Sequence, residues 1–260
     1  MALLKLLLLL WVGDVVISGR NLQKRIIGGH DCDEKERLYH VLLVQNNGTH
    51  WGFCGGSLVS DRWILTAAHC WDKGWTMEAH VGIHPESTTR VTMEIRDDPV
   101  IYADKNGKHD IMLLKLPSPT KIKPVTIPDC KNRLKVGDKV QIAGNAATTM
   151  GPNNERKPNF TLKLQCADID VIDCKKLSDA LKRNAYQRRV YQDWFCGQTP
   201  NKDACQGDSG GGVLYQDEIY GVISFTGDHN KACSEPIGFM DVSGALLLAG
   251  FLLLFLLPVD

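Results

Sequence analysis

A chain of 260 residues is long enough to bury a full core as one domain or as two, so length alone does not choose a fold. Its 30 Lys and Arg balance its 30 Asp and Glu, so nothing in the net charge points to nucleic acid or to a strongly charged partner. Function must come from local motifs.

Met1 to Gly19 carries Lys5, a leucine-rich run from Leu6 to Leu10 and small residues at Ser18 and Gly19. That is the pattern of a secretory signal peptide, here 1–19, although Asp14 interrupts it and leaves the cut open between Ser18 and Gly19. A short basic segment, 20–25, then ends in Lys24-Arg25 ahead of Ile26-Ile27-Gly28-Gly29. Cleavage after Arg25 by an activating protease would free the amine of Ile26. A buried ammonium needs a carboxylate, and Asp208 is the candidate.

The nine cysteines fit an oxidising compartment and a disulfide framework. Spacing alone assigns no pairs, but Cys54 and Cys70 bracket one loop, and Cys205 and Cys233 bracket another. Asn47-Gly48-Thr49 and Asn159-Phe160-Thr161 are glycosylation sequons consistent with export.

Short apolar runs broken by polar, glycine-bearing turns follow at Val41 to Gln45, Phe53 to Leu58, Trp63 to Thr66, Met77 to Val81 and Ile111 to Leu116. A second set lies at Lys139 to Ala143, Gly212 to Tyr215 and Ile219 to Ser224, beyond a polar link from Lys121 to Val136. Such strand-length runs with long loops predict an all-β barrel or sandwich. Cys174 to Gln187 is the one internal stretch with a helical pattern, with Leu177 and Leu181 four apart after Asp173. Its Lys175, Lys176, Lys182, Arg183, Arg188 and Arg189 read as a solvated face rather than as a site for a sulfated polysaccharide.

Chemistry concentrates at Gly207-Asp208-Ser209-Gly210-Gly211. A serine is a poor nucleophile until a base takes its proton and donors hold the oxyanion made by its attack. Glycines at 207 and 210 permit a turn in which the amides of Gly207 and Ser209 converge on one oxygen. Thr66-Ala67-Ala68-His69-Cys70 supplies a base, and Asp110, beside Ile111-Met112-Leu113-Leu114, supplies a carboxylate to orient it.

These three contexts, with the Ile26-Ile27-Gly28-Gly29 start and Cys54-Gly55-Gly56-Ser57-Leu58, resemble the trypsin-like, chymotrypsin-fold serine proteases from Ile26 to about Val242. The resemblance implies two six-stranded antiparallel β-barrels over 26–243 with the site in the cleft between them. It implies endopeptidase action on a protein or peptide substrate, with His69, Asp110 and Ser209 catalytic and no metal or organic cofactor. It also implies disulfides Cys32–Cys166, Cys54–Cys70, Cys174–Cys196 and Cys205–Cys233, leaving Cys130 with a free or intermolecular thiol, and protein inhibitors as further partners.

Several positions depart from the family. Asp203 matches the acid at the floor of a pocket for Arg or Lys, with Ser224 alongside, yet Thr226 and Ile237 stand where trypsins have glycine and would narrow the pocket toward small side chains, the register at Pro236-Ile237-Gly238 being open to a shift of one residue. Phe225 and Asn145 replace tryptophans, Gly212 replaces a proline, and Ile83 stands where a calcium-binding acid would be. The alternative function is a non-catalytic binding protein on a protease fold, its cleft closed by Thr226 and Ile237. Finally 244–260 is an apolar tail, from Ala245 to Leu257 nearly unbroken. It is short for a span, so it reads either as a membrane-anchoring signal on a secreted, surface-attached protein or as a greasy form of the family's last helix.

Overall fold

The computed structural model of the chain describes residues 26–129, 132–146, 149–157, 160–183, 193–228 and 230–242. The expected leader and activation peptide with Arg25, Cys130, the sequon at Asn159, Arg188, Arg189 and the apolar tail lie outside them.

After a two-residue strand β1 (His30–Asp31), seven strands make the first sheet: β2 (His40–Asn46), β3 (Trp51–Leu58), β4 (Trp63–Thr66), β5 (Thr76–Val81), β6 (Val91–Ile95), β7 (Val100–Asp104) and β8 (Gly107–Lys115). They lie in the order β6-β5-β2-β3-β4-β8-β7, a curled antiparallel sheet. The second set is β9 (Lys139–Gly144), β10 (Gln165–Ile172), β11 (Trp194–Gly197), β12 (Gly212–Tyr215), β13 (Glu218–Thr226) and β14 (Ile237–Asp241). Its order is β10-β11-β14-β13-β12-β9, with β1 added on β10, and pairing of β10 to β9 closes these six strands into a barrel. The two-barrel architecture is therefore present as one closed barrel and one curled sheet.

Period-two alternation sets which face each strand buries. In β5, Met77, Ala79 and Val81 point inward while Thr76, Glu78 and His80 do not. In β10, Ala167, Ile169 and Val171 are buried, and the intervening Asp168 and Asp170 are only half-buried. The first core gathers residues such as Leu43, Leu58, Ile64 and Leu113, and the second Val140, Ile142, Val213 and Phe239. Each such side chain contributes about 1.5–3 kcal/mol on full burial.

One helix, α1 (Lys175–Arg183), lies where the 3.6-residue pattern falls. Asp173 caps it by accepting the Lys175 N–H at 2.7 Å. Its Leu177 and Leu181 are buried with Cys196 and Phe225, while Lys175, Lys176 and Lys182 are exposed. Disulfides Cys32–Cys166, Cys54–Cys70 and Cys174–Cys196 tie the start of the chain to β10, β3 to the turn after β4, and the start of α1 to β11.

The two halves meet backbone to backbone. The Gly55 N–H of β3 donates to the Ser209 carbonyl at 2.7 Å. A Cβ on Gly55 would stand 2.9 Å from both Cα and N of Gly211, closer than real Cβ contacts come. Glycine at 55 is thus what lets the first sheet touch the Ser209 turn of the second.

Candidate active site

His69 lies on a 3-10 turn, Ala68–Cys70, directly after β4, and the Cys54–Cys70 disulfide fastens that turn to β3. Asp110 comes from within β8, whose following residues Ile111 to Leu114 are buried. Register pairing of Thr66 with Met112 brings the ends of β4 and β8 together. The His69 Nδ1 then meets Asp110 Oδ1 at 3.0 Å and Oδ2 at 2.8 Å, and the His69 backbone N–H donates to Oδ1 at 2.8 Å. With Nδ1–H as the donor, Nε2 is left as the basic nitrogen.

Ser224, on β13, donates a short hydrogen bond to Asp110 Oδ2. Burial alone would raise the Asp110 carboxyl, but the bonds from His69 and Ser224 outweigh it and hold the carboxyl below its ordinary range. The sequence suggested Ser224 only as a pocket residue. Its bond to the acid crosses 114 positions and leaves no local signature.

Ser209 sits between β11 and β12 in a turn folded by three backbone bonds: Asp208 N–H to Cys205 O, Gly211 N–H to Asp208 O and Gly210 N–H to Ile223 O. The amides of Gly207 and Ser209 take no part in those bonds. Gly207 and Gly210 adopt φ of 106° and 83°, the left-handed side that favours glycine. At Gly210 a Cβ would also drive into the Thr66 hydroxyl and the Gly55 carbonyl. His69 and Ser209 line one open cleft of about 940 Å³ between the two sheets, together with Gly207, Ser224, Phe225 and Thr226.

Beside the cleft Asp208 is fully buried. Its oxygens accept the Ala146 N–H at 2.9 Å and the Cys205 N–H at 2.8 Å. Burial pushes its carboxyl up to about 6, and among the described residues it makes no ion pair. Ile26 is fully buried too, in the second core beside Ala204 and Val140.

Comparison with known proteins matches this arrangement. The family described as Trypsin fits residues 26–246. Trypsin-1 of Salmo salar is 32% identical over 226 residues, covering 82% of this chain and 83% of that protein. Serine protease 1 of Rattus norvegicus is 34% identical over 237 residues, covering 85% and 87%. The solved structure of neuropsin, a serine protease expressed in the limbic system of mouse brain, superposes with a TM-score of 0.67 at 26% identity, covering 85% of this chain and 96% of that one. This chain belongs to the trypsin family.

In this trypsin-family serine endopeptidase Asp203, the acid expected at the pocket floor, lies behind the cleft lining and is paired within the chain. Asp203 is almost fully buried, and its backbone N–H donates to Ile27 O at 3.0 Å. Asp203 Oδ2 accepts from the Cys233 N–H at 2.7 Å and from Arg156 Nη2 at 2.5 Å. Burial pushes the Asp203 carboxyl upward, and the Arg156 guanidinium is the cation that opposes this. Sequence reasoning missed Arg156. It ends the run Gly151-Pro152-Asn153-Asn154-Glu155, which reads as an ordinary polar loop, and its partner is 47 residues away.

The other two expected pocket residues lie in different places. Thr226 does line the cleft, with its hydroxyl donating to Asp228 O at 3.2 Å. Ile237 is not among the lining residues; paired with Thr226 across β13 and β14, it is buried in the second core beside Phe239. Gly238, one residue on, faces the Phe225 ring, which would stand 2.5 Å from a Cβ there.

The expected Cys205–Cys233 disulfide is not formed, and both residues are free thiols. The Cys205 sulfur instead lies 3.7 Å from Arg156 Nη1, and Cys233 is held at φ 58° with its amide on Asp203. Burial pushes the Cys205 thiol up to about 12 and the Cys233 thiol up to about 11, so both keep their protons at neutral pH. At the calcium position, Ile83 is buried with Leu42 and Val44.

Proposed function

We propose that this endopeptidase hydrolyses peptide bonds by acyl transfer through Ser209, His69 and Asp110, and that it is made as a precursor switched on by cleavage after Arg25. The observation that carries the reading is the two-point grip of Asp110 on His69 in a cleft that Ser209 also lines. Asp110 fixes the imidazole with Nδ1–H inward, so Nε2 takes the Ser209 proton as Oγ attacks the substrate carbonyl. The carbonyl oxygen becomes an oxyanion, and the Gly207 and Ser209 amides left out of the turn's own bonds are the donors for it. His69 then returns the proton to the leaving amine, and water repeats the sequence on the acyl-enzyme.

Activation follows from Asp208. In the uncleaved chain its buried carboxyl has two amide donors and, among the described residues, no ion-pair partner, while Ile26 already lies in the core beside the same loop. Cutting after Arg25 turns the Ile26 nitrogen into an ammonium, and pairing with Asp208 would anchor the segment that carries Gly207 and Ser209. The cleavage needs an external protease with a taste for Lys24-Arg25. Asn47 is exposed at the tip of the β2–β3 hairpin, its Oδ1 accepting from Thr49 and His50, which suits a glycan on a secreted protein. None of the described helices is long and apolar enough to cross a membrane.

Peptide hydrolysis by chain cleaved after Arg25 tests the reading. Wild type should cleave, and Ser209→Ala and His69→Ala should each lose at least about 10⁴-fold in kcat. Undiminished turnover in either variant would overturn the triad.

A further inference from the structure

The acid of the specificity pocket is occupied from within. Arg156 Nη2 pairs with Asp203 Oδ2 at 2.5 Å, Nη1 donates to Ala204 O at 2.5 Å, and Nε donates to Asp228 O at 3.0 Å. Only 9% of the Arg156 side chain and 1% of Asp203 are exposed, so this pair is removed from bulk water.

The backbone holds Arg156 there as well. Its N–H donates to Asn230 O at 2.9 Å, the Ala232 N–H donates to Asn154 O at 2.9 Å, and Glu155 pairs with Lys231 as an antiparallel bridge. Residues 154–156 and 230–232 are thereby zipped together, with the guanidinium on Asp203.

We propose that Arg156 is a specificity-determining residue: it fills the cation seat at Asp203, so the enzyme cleaves after small uncharged side chains instead of after Arg or Lys. The proposal rests on the endopeptidase reading above and names its substrate class.

A substrate arginine reaching Asp203 would meet a guanidinium already on Oδ2. Two cations on one buried carboxylate repel, and displacing Arg156 breaks an ion pair and two further hydrogen bonds while its backbone stays clipped. Beside the already paired Arg156, the cleft offers a substrate side chain the uncharged Ser224, Phe225 and Thr226. Such a surface suits short uncharged groups.

The test uses chain cleaved after Arg25 and two readouts. A library varied only before the scissile bond should show wild type preferring residues such as Ala, Val and Ser over Arg and Lys. Arg156→Ala should shift that ratio toward Arg and Lys by at least about tenfold. Calorimetric binding of benzamidine, an aryl cation that needs no turnover, should be at least about tenfold tighter to Arg156→Ala than to wild type.

Should the alanine variant not fold, Arg156→Gln keeps the side chain's length without its charge and should respond in the same direction. Wild type that prefers Arg or Lys, or that binds benzamidine as tightly as the variants, overturns the proposal. Absence of all peptidase activity defeats the endopeptidase reading instead, and the benzamidine comparison still decides the role of Arg156.

Discussion

Asp110 concentrates the residue-scale physics of the site, because a half-shielded carboxylate is kept ionised by donors from two directions. A carboxyl held below its ordinary value in the folded state stabilises the fold above the unfolded value, and that contribution is lost as pH falls through the folded value. Ser224→Ala removes one donor and brings the folded value back up. It should cost about 1–2 kcal/mol of stability at pH 7, and the deficit should shrink in acid as Asp110 protonates in both states. Urea unfolding at pH 7 and pH 3 measures this, and an equal deficit at both would contradict it. Asp110→Asn should leave the fold but lower kcat by about 10⁴, since the amide admits the wrong imidazole tautomer.

Among the elements, β3 and the Ser209 turn meet at a close backbone contact. Gly55→Ala would place a methyl against the Gly211 backbone, where no flexible side chain can yield. The expected result is a loss of about 1–3 kcal/mol with a larger fractional loss of turnover, because the displaced segment carries the amides proposed as oxyanion donors. Thermal unfolding alongside kcat reads both, and unchanged turnover would show that the sheets tolerate separation.

Strands with an apolar face or run, such as β2, β4 and β12, were legible in the sequence, as were α1 and the three residues of the proposed triad in their glycine- and cysteine-marked contexts. β10 has no continuous apolar run, and its strand signal is the alternation of Ala167, Ile169 and Val171 with Asp168 and Asp170, a pattern that apolar runs alone do not show. Asp170 is accommodated on the outer face by Lys139 of β9 at 2.5 Å and by Thr199. β6 presents mostly exposed residues, so burial left no strong pattern there. Asp203 was legible as an acid but its neutralisation by Arg156 was not, since a pairing between two distant loops has no sequence period.

Across the molecule, the proposed activation makes Asp208 the group through which proteolysis would change stability. In the uncleaved chain its carboxyl sits at about 6 against an ordinary 3.8. A raised carboxyl gives its stabilisation in full below the unfolded value and loses it as pH rises through the folded one. The precursor should therefore lose ~2–3 kcal/mol between about pH 4 and pH 6.5 from this group, and Asp208→Asn should flatten that slope. After cleavage the Ile26 ammonium reverses the sign, so the cleaved form should gain on the precursor as pH rises; parallel calorimetric scans would reveal a failure to diverge.

Ser209 is the proposed nucleophile, and a reactive organophosphonate reports on it without a choice of substrate. Treated after cleavage at Arg25 and digested for mass spectrometry, the chain should carry one phosphonyl adduct on the peptide containing Ser209, and His69→Ala should carry almost none. No adduct, or an adduct on another residue, would contradict the account.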